Sequence, residues 1–119
     1  MTPDEYRLAV LGVVGRIPRG RVMAYGGIAR YLAEVSGRAS PRLVGQIMAR
    51  DSSGVPWQRV VREGGLPVRG HEAEALRRLV ADGTPLRGRR VDMARAAWEP
   101  HEPAAVLLGI GEGEGEPGR

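Results

Sequence analysis

The stretch SPRLVGQIMARDSSGVPWQRVV, residues 40–61, contains the strongest structural signals in the chain. Ser40 and Pro41 form a typical helix start, because a serine hydroxyl can accept a hydrogen bond from the first turn and proline fits the first helical position. Apolar residues then recur at helical spacing, at Leu43, Val44, Ile47 and Met48. We therefore expect a short helix over residues 41–50, followed by a loop that contains Trp57.

The segment before it, GGIARYLAEVSG at residues 26–37, predicts another short helix that ends close to Gly37. Two short helices joined by a tight polar turn are typical of a helix-turn-helix, in which the second helix is presented to DNA. Helix pairs of this kind also occur in proteins that do not bind DNA, so the pattern alone leaves the function open. The apolar face of the first helix is formed by Ile28, Tyr31, Leu32 and Val35.

Two further helices are predicted on either side of this pair. Thr2 and Glu5 have the spacing of a capping box and begin a helix over residues 3–16. Its apolar repeat consists of Leu8, Leu11, Val14 and Ile17. HEAEALRRLVADG predicts a helix over residues 71–83 that ends at Gly83. We expect this helix to bury Ala73, Leu76, Leu79 and Val80.

Extended structure is expected in three places. PRGRVMAY, residues 18–25, turns through Gly20 and gives a short extended segment. WQRVVREGGLPV, residues 57–68, alternates apolar and polar residues around Gly64 and Gly65, which predicts a small hairpin or wing. A short extended piece follows within residues 85–98. The predicted fold is a small, mainly helical α+β domain with a winged helix-turn-helix and a short β-hairpin.

The length of 119 residues suits one core better than two. We place the domain at residues 1–100 and expect the acidic, glycine-rich tail at 101–119 to be disordered. No apolar run approaches bilayer-spanning length, and the first ten residues are acidic where a signal peptide is basic, which favours a cytoplasmic protein without membrane contact. The chain has no cysteine and only two histidines, His71 and His101, so neither a metal site nor another cofactor is expected.

The basic residues are unusual, because all 18 are arginine. Residues 1–100 hold 17 arginines against 10 carboxylates, whereas residues 101–119 hold one arginine against four glutamates. Arginine is favoured for planar, bidentate contact with phosphates, so a polyanionic partner is one explanation. A GC-rich genome that encodes arginine in place of lysine is the other, and composition does not separate the two.

Several ordered motifs resemble the C-terminal domain of O6-alkylguanine-DNA alkyltransferases. In that family a helix with R-x-V-G precedes the active-site motif P-C-H-R-V; here RLVG at 42–45 precedes PWQRV at 56–60. GRVMAYGGIA at 20–29 is similar to the family's G-x-V-x-x-Y-x-x-[IL]-A segment, and WEP at 98–100 to the W-x-P ending of alkyltransferase-like proteins. The resemblance covers nearly the whole predicted domain and implies the same fold.

The transferase nucleophile is missing. In the family a cysteine thiolate attacks the alkyl carbon and a histidine takes the thiol proton. Trp57 stands at the cysteine position and Gln58 at the histidine position, and neither an indole nor an amide can perform those steps near neutral pH. Asp82 matches the acidic residue that orients the histidine. The resemblance therefore implies a protein that binds alkylated DNA without repairing it, and we expect no enzymatic activity.

The resemblance also implies residue roles. A target guanine is flipped out through the minor groove into a pocket beside Trp57, while Arg42 fills the vacated space in the base stack. Tyr25 presses on the neighbouring phosphate, and Arg69 lies against the flipped base. The predicted DNA-contacting residues are Tyr25, Arg42, Gly45 and Arg59. The predicted lesion pocket consists of Pro56, Trp57, Gln58, Val60 and Arg69.

Plainer interpretations exist for each position. Trp57 could be an ordinary core tryptophan, Arg42 a solvated charge and Arg59 a brace for its own turn. The implied partners are double-stranded DNA with O6-alkylguanine and the damage-recognition ATPase of nucleotide excision repair, bound by a nucleoid-associated monomer. The alternatives at this point are a helix-turn-helix regulator that reads undamaged sequence and an enzyme with residual activity.

Overall fold

Helices form most of the part of the chain that this computed structural model describes, residues 1–109. None of the described helices has both the length and the apolar character that a bilayer crossing requires. Single 3-10 turns at Trp57–Arg59 and Glu63–Gly65 connect the third helix to the fourth. In chain order the helices are α1 (Pro3–Val14), α2 (Tyr25–Ser36), α3 (Pro41–Asp51), α4 (Glu72–Asp82), α5 (Met93–Ala96) and α6 (Ala104–Leu108).

The caps confirm the predicted starts of α1 and α3 and the predicted end of α2, whereas α1 ends at Val14, two residues earlier than predicted. The Thr2 hydroxyl accepts from the Glu5 amide at 3.1 Å, and the Glu5 carboxylate accepts from the Thr2 amide at 2.7 Å, which completes the capping box of α1. The Ser40 hydroxyl accepts from the Leu43 amide at 3.2 Å at the start of α3. Gly37, with φ of +75°, ends α2 in the left-handed conformation that glycine adopts without strain. Local sequence thus sets these boundaries.

The helix pair α2 and α3 packs around the core as predicted. Ile28 and Leu32 of α2 are completely buried, and so is Val44 of α3. Ile47 and Met48 complete the buried face of α3. The opposite face of α3 is therefore exposed.

The extended segments predicted within residues 18–25 and 85–98 are confirmed as strands, but the strand pairing differs from the prediction. Strands β1 (Met23–Ala24) and β2 (Val60–Val61) pair in parallel, and β3 (Leu86–Arg87) pairs antiparallel with β4 (Arg90–Val91). The hairpin predicted within residues 57–68 is therefore wrong; the hairpin of the fold lies at residues 86–91. The reason is that β2 pairs with a strand more than thirty residues earlier in the chain, which alternation within the segment does not reveal.

The buried faces of α1 and α4 also need correction. In α1, Leu8 is 55% exposed, and the buried side chains are Tyr6, Ala9, Val10, Val13 and Val14. In α4, Val80 is 63% exposed and Ala73 is exposed, whereas Ala75 and Leu79 are buried. Both helices carry apolar residues on more than one side, so helical spacing alone allows two faces, and the neighbouring elements determine which one is buried.

The C-terminal segment is ordered further than predicted. Helix α6 packs against α1 and α2, with Ala104 completely buried, and the Tyr31 hydroxyl donates to the Glu102 carbonyl at 2.6 Å. The prediction of a disordered tail from residue 101 is therefore wrong for residues 101–109. Its last part, 110–119, lies outside the described residues.

Gly65 is the point where the second 3-10 turn contacts the hairpin. Its φ is +90°, and a Cβ atom at this position would collide with the Val91 carbonyl oxygen and lie 3.2 Å from the Val91 amide nitrogen. Gly54 has a nearly identical φ of +92°, but a Cβ there would meet nothing within 4 Å. Substitutions at these two glycines can therefore distinguish the cost of backbone strain from the cost of steric collision.

Replacing Gly65 with alanine is therefore expected to lower the free energy of unfolding by about 2.5 kcal/mol, because strain and collision add. Gly54→Ala should lower it by only about 1 kcal/mol, because it introduces the strain alone. Urea unfolding followed by circular dichroism measures both. Equal losses for the two variants would show that the contact with Val91 relaxes without cost.

Candidate nucleic-acid interface

A groove of about 1150 Å³ opens between the start of α2, the exposed side of α3 and the loop that precedes α4. We call it the central groove. It brings together five of the residues predicted to contact DNA or to form the pocket, namely Tyr25, Arg42, Gly45, Trp57 and Arg69. These residues come from separate parts of the chain, so their convergence is a property of the fold.

Trp57 forms one wall of the central groove. It begins the first 3-10 turn, where its amide donates to the Val55 carbonyl at 2.7 Å. The ring meets His71 edge to face, with centroids 6.1 Å apart and planes at 68°. The Arg78 guanidinium carbon lies 5.3 Å from the ring centroid, within cation–π range. The indole is thus held from two sides while it remains part of the groove surface.

The opposite side of the groove is formed by α2 and α3. Tyr25 is the first residue of α2, and its ring faces Gly45, where an added Cβ would lie 3.6 Å from the ring. Burial raises the pKa of the Tyr25 phenol above its ordinary value of 10.0, although the charge of Arg62 acts in the opposite direction. The phenol is therefore neutral and can donate a hydrogen bond. Arg42, the second residue of α3, is exposed at the rim.

The two residues that follow Trp57, Gln58 and Arg59, form a largely buried polar cluster with Asp82. Its carboxylate accepts from Arg59 Nε at 2.9 Å and Nη2 at 3.1 Å, and from Gln58 Nε2 at 3.2 Å. The hydrogen bond from Arg59 is the main reason that the pKa of Asp82 lies below its ordinary value of 3.8; burial opposes it. Arg59 also donates to the Ile17 carbonyl at 3.0 Å. The cluster ties the 3-10 turn to α4 and to the segment that follows α1.

This geometry corrects several predicted site residues. Arg59 is used inside the protein, with only 18% of its side chain exposed, so it braces the turn and is not kept as a DNA contact. Val60 is completely buried in β2 and belongs to the core. Gln58 is buried, with Nε2 donating to Asp82, and neither it nor Pro56 lines the groove.

Other groove residues escaped sequence reasoning. Arg62 lines the groove, and its guanidinium donates to the Pro67 carbonyl at 2.8 Å, which fixes the loop that carries Arg69. His71 lines it beside Trp57. Neither residue belongs to a recognised motif. They line the central groove only because the fold brings α3 and the loop before α4 together. Within residues 1–109, no three histidine, aspartate or glutamate side chains are grouped to hold a metal ion.

A helix-turn-helix whose second helix borders a basic groove is the architecture of a DNA-binding domain. The family described as 6-O-methylguanine DNA methyltransferase, DNA binding domain, matches residues 5–83. The chain belongs to this family. The DNA base-flipping protein of Escherichia coli (strain K12) is 34% identical over 100 residues, which cover 80% of this chain and 75% of that protein. Alkyltransferase-like protein 1 of Schizosaccharomyces pombe is 40% identical over 67 residues, which cover 55% of this chain and 59% of that protein.

Two solved structures have the same fold. The crystal structure of S. pombe Atl1 in complex with damaged DNA containing O6-carboxymethylguanine matches with a TM-score of 0.69 and 29% identity. A crystal structure of S. pombe ATL in complex with DNA matches with a TM-score of 0.68 and 30% identity. Each match covers 84% of this chain and all of the other. The predicted fold, similar to the alkyltransferase C-terminal domain, is confirmed.

Proposed function

We propose that this protein recognises O6-alkylguanine in duplex DNA by holding the flipped nucleotide in the central groove, and that it transfers no alkyl group. The observation that carries the proposal is the convergence of Tyr25, Arg42, Trp57 and Arg69 on one groove in a chain without cysteine. The relatives support it, since one is a DNA base-flipping protein and another was crystallised with alkylated DNA.

Contacts in the central groove can offset the free-energy cost of extruding a base from the duplex. Unstacking and unpairing a nucleotide costs on the order of a few kcal/mol, and less at a damaged pair. Arg42 at the rim of α3 fills the gap in the stack, and the neutral Tyr25 phenol donates to the adjacent phosphate. The flipped purine then lies between the Trp57 wall and the guanidinium of Arg69, where stacking contributes about 1 to 3 kcal/mol.

We expect no alkyl transfer because the side chains at the two positions that react in the transferases are inert. Trp57 offers no nucleophile, and it is held in place by His71 and Arg78. The Gln58 amide nitrogen already donates to Asp82, and an amide has no basic lone pair to take a proton. The lesion is therefore bound and left intact.

A bound lesion must be passed to a protein that removes it. We infer that the complex acts as a monomer at the nucleoid and presents the lesion to the damage-recognition ATPase of nucleotide excision repair. The argument is functional: a protein that binds without chemistry is useful to the cell only if its complex is recognised. Co-elution of the ATPase with the lesion complex, and not with the protein or DNA alone, tests this part.

Competition binding tests the recognition step. Fluorescence anisotropy with a labelled O6-methylguanine duplex should show stronger competition from unlabelled lesion duplex than from an undamaged duplex of identical sequence. The DNA regulator alternative predicts that the alkyl group has no effect and that one undamaged sequence is preferred over all others. Equal competition by lesion and undamaged duplexes would refute the proposal.

Replacing Trp57 with cysteine is expected to leave the protein unable to transfer a methyl group. The new thiol lacks a base, because Gln58 cannot accept its proton. Incubation with DNA that carries a radiolabelled O6-methyl group, followed by electrophoresis of the protein, measures transfer. The double variant Trp57→Cys/Gln58→His provides the comparison, since a histidine there would face Asp82. Label on the single variant would contradict this account of the site.

A further inference from the structure

A second groove, of about 510 Å³, lies on the other side of α3. We call it the α1–α3 groove. It is bounded by the start of α1, the turn between α2 and α3, and the side of α3 that carries Leu43, Gln46 and Arg50. Nothing in the proposed recognition of the flipped base uses it.

Helix α3 is the wall that the two grooves share. Arg42, Gly45 and Ala49 border the central groove, whereas Leu43, Gln46 and Arg50 border the α1–α3 groove. An α-helix with its side chains is roughly 10 to 12 Å across. The minor groove of B-DNA is only about 6 Å wide, so a helix seated there must widen it, and one DNA strand then passes along each side of the helix. If the damaged strand follows the central groove, the undamaged strand follows the α1–α3 groove.

The side chains of the α1–α3 groove suit a phosphate. Three arginines line it, at Arg7, Arg38 and Arg50, against two carboxylates. Asp4 is bonded to Arg7 at 2.8 Å, and Asp51 stands in the last turn of α3. Within residues 1–109, neither Arg38 nor Arg50 has a carboxylate at ion-pairing distance.

The floor of the groove adds a polar group without a partner. Tyr6 lines the α1–α3 groove, is only 3% exposed, and its hydroxyl has no hydrogen-bond partner among the described residues. A buried hydroxyl is usually paired, and one left unpaired beside arginines is an available donor for an anionic ligand.

We propose that the α1–α3 groove binds a phosphodiester of the undamaged strand, with Arg38 and Arg50 as its principal cationic contacts. The proposal rests on the proposed function, because that function places the damaged strand on the other side of α3. In this arrangement each side of α3 faces one of the two DNA strands. The flipped duplex is then held from both backbones while Arg42 occupies the gap between them.

The first test is the salt dependence of binding by Arg38→Ala/Arg50→Ala. Each lost phosphate contact should reduce the slope of log K against log salt by about 0.9, so the double variant should lose about 1.8 and bind roughly 10- to 60-fold more weakly near 0.1 M salt. Because phosphate contacts do not read bases, affinity for lesion and undamaged duplexes should fall by the same factor. Arg16→Ala/Arg95→Ala is the control, since it removes the same charge from exposed positions outside both grooves.

The second test identifies the strand. Methylphosphonates that replace phosphates near the lesion in the undamaged strand should weaken binding by the natural protein but add little to the loss in the double variant. The same replacement in the damaged strand should weaken both proteins equally. An unchanged salt slope, or additive losses with the undamaged strand modified, would overturn the proposal. Loss of lesion preference in the natural protein would instead refute the proposed function, whereas the salt slope of Arg38→Ala/Arg50→Ala would still report whether the α1–α3 groove contacts phosphate.

Discussion

Replacing Arg42 with alanine is expected to weaken binding of an O6-methylguanine duplex by about 100-fold, close to 3 kcal/mol. The reason is that Arg42 stands at the rim of the groove that we propose to receive the flipped base, at the start of a helix whose exposed side is bordered by both grooves. Without its side chain the gap in the base stack is left unfilled, so the extruded state loses its compensation. Anisotropy titrations with lesion and undamaged duplexes measure the effect.

The comparison with undamaged DNA separates gap filling from simple charge. If Arg42 only contacts phosphate, both affinities fall equally, as we expect for Arg38 and Arg50. If it fills the gap, the lesion duplex loses far more than the undamaged one, and Arg42→Lys keeps the charge but recovers little. Equal losses for both duplexes would contradict the intercalating role. Fluorescence of 2-aminopurine beside the target position would report directly whether the variant still flips the nucleotide.

Replacing Asp82 with alanine should lower the free energy of unfolding by roughly 4 kcal/mol, because it leaves the largely buried guanidinium of Arg59 without its carboxylate. It also removes the anchor of the 3-10 turn that presents Trp57, so lesion binding should fall even where the variant remains folded. Urea unfolding at neutral pH gives the stability. Asp4→Ala serves as the control, since it breaks an exposed pair with Arg7 and should change stability by less than about 1 kcal/mol.

The same carboxylate makes stability depend on pH. Since the pKa of Asp82 is lower in the folded protein than its ordinary value, its contribution is complete above that ordinary value of 3.8. The contribution is lost as the pH falls through the lowered pKa of the folded state. In Asp82→Asn this part of the acid dependence should disappear. An unchanged difference in unfolding free energy between pH 6 and pH 3 would show that the ion pair is not the cause.

Local signals explain why the helix-turn-helix was predictable. Ser40 with Pro41, and Thr2 with Glu5, define helix starts through bonds within one turn of the chain, and the structure contains those bonds. The motif spacing likewise indicated that Trp57 and Arg42 share a site. These features depend on neighbours in sequence, which is the range that pattern analysis covers.

Tertiary partners explain what the sequence did not indicate. Val60 lies in β2, which pairs with β1, where Met23 is its partner. The alternation of apolar and polar residues therefore predicts a local hairpin that does not form. For the same reason Val60 belongs to the core and not to the predicted pocket. Arg59 has the same motif position as a DNA contact, but its bond to Asp82 depends on where α4 is placed. His71 reaches Trp57 from a loop without a motif. In each case the missing information was a contact between segments far apart in the chain.

The packing of α6 on α1 and α2 has a consequence for biosynthesis. The first and the last described helices touch, so the domain closes through contacts that span nearly its whole described length. During translation the surface of α1 and α2 stays uncovered until residues 104–108 have left the ribosome. Contacts of this sequence separation slow folding and lengthen the exposure of apolar surface, which makes the nascent chain a candidate client for chaperones.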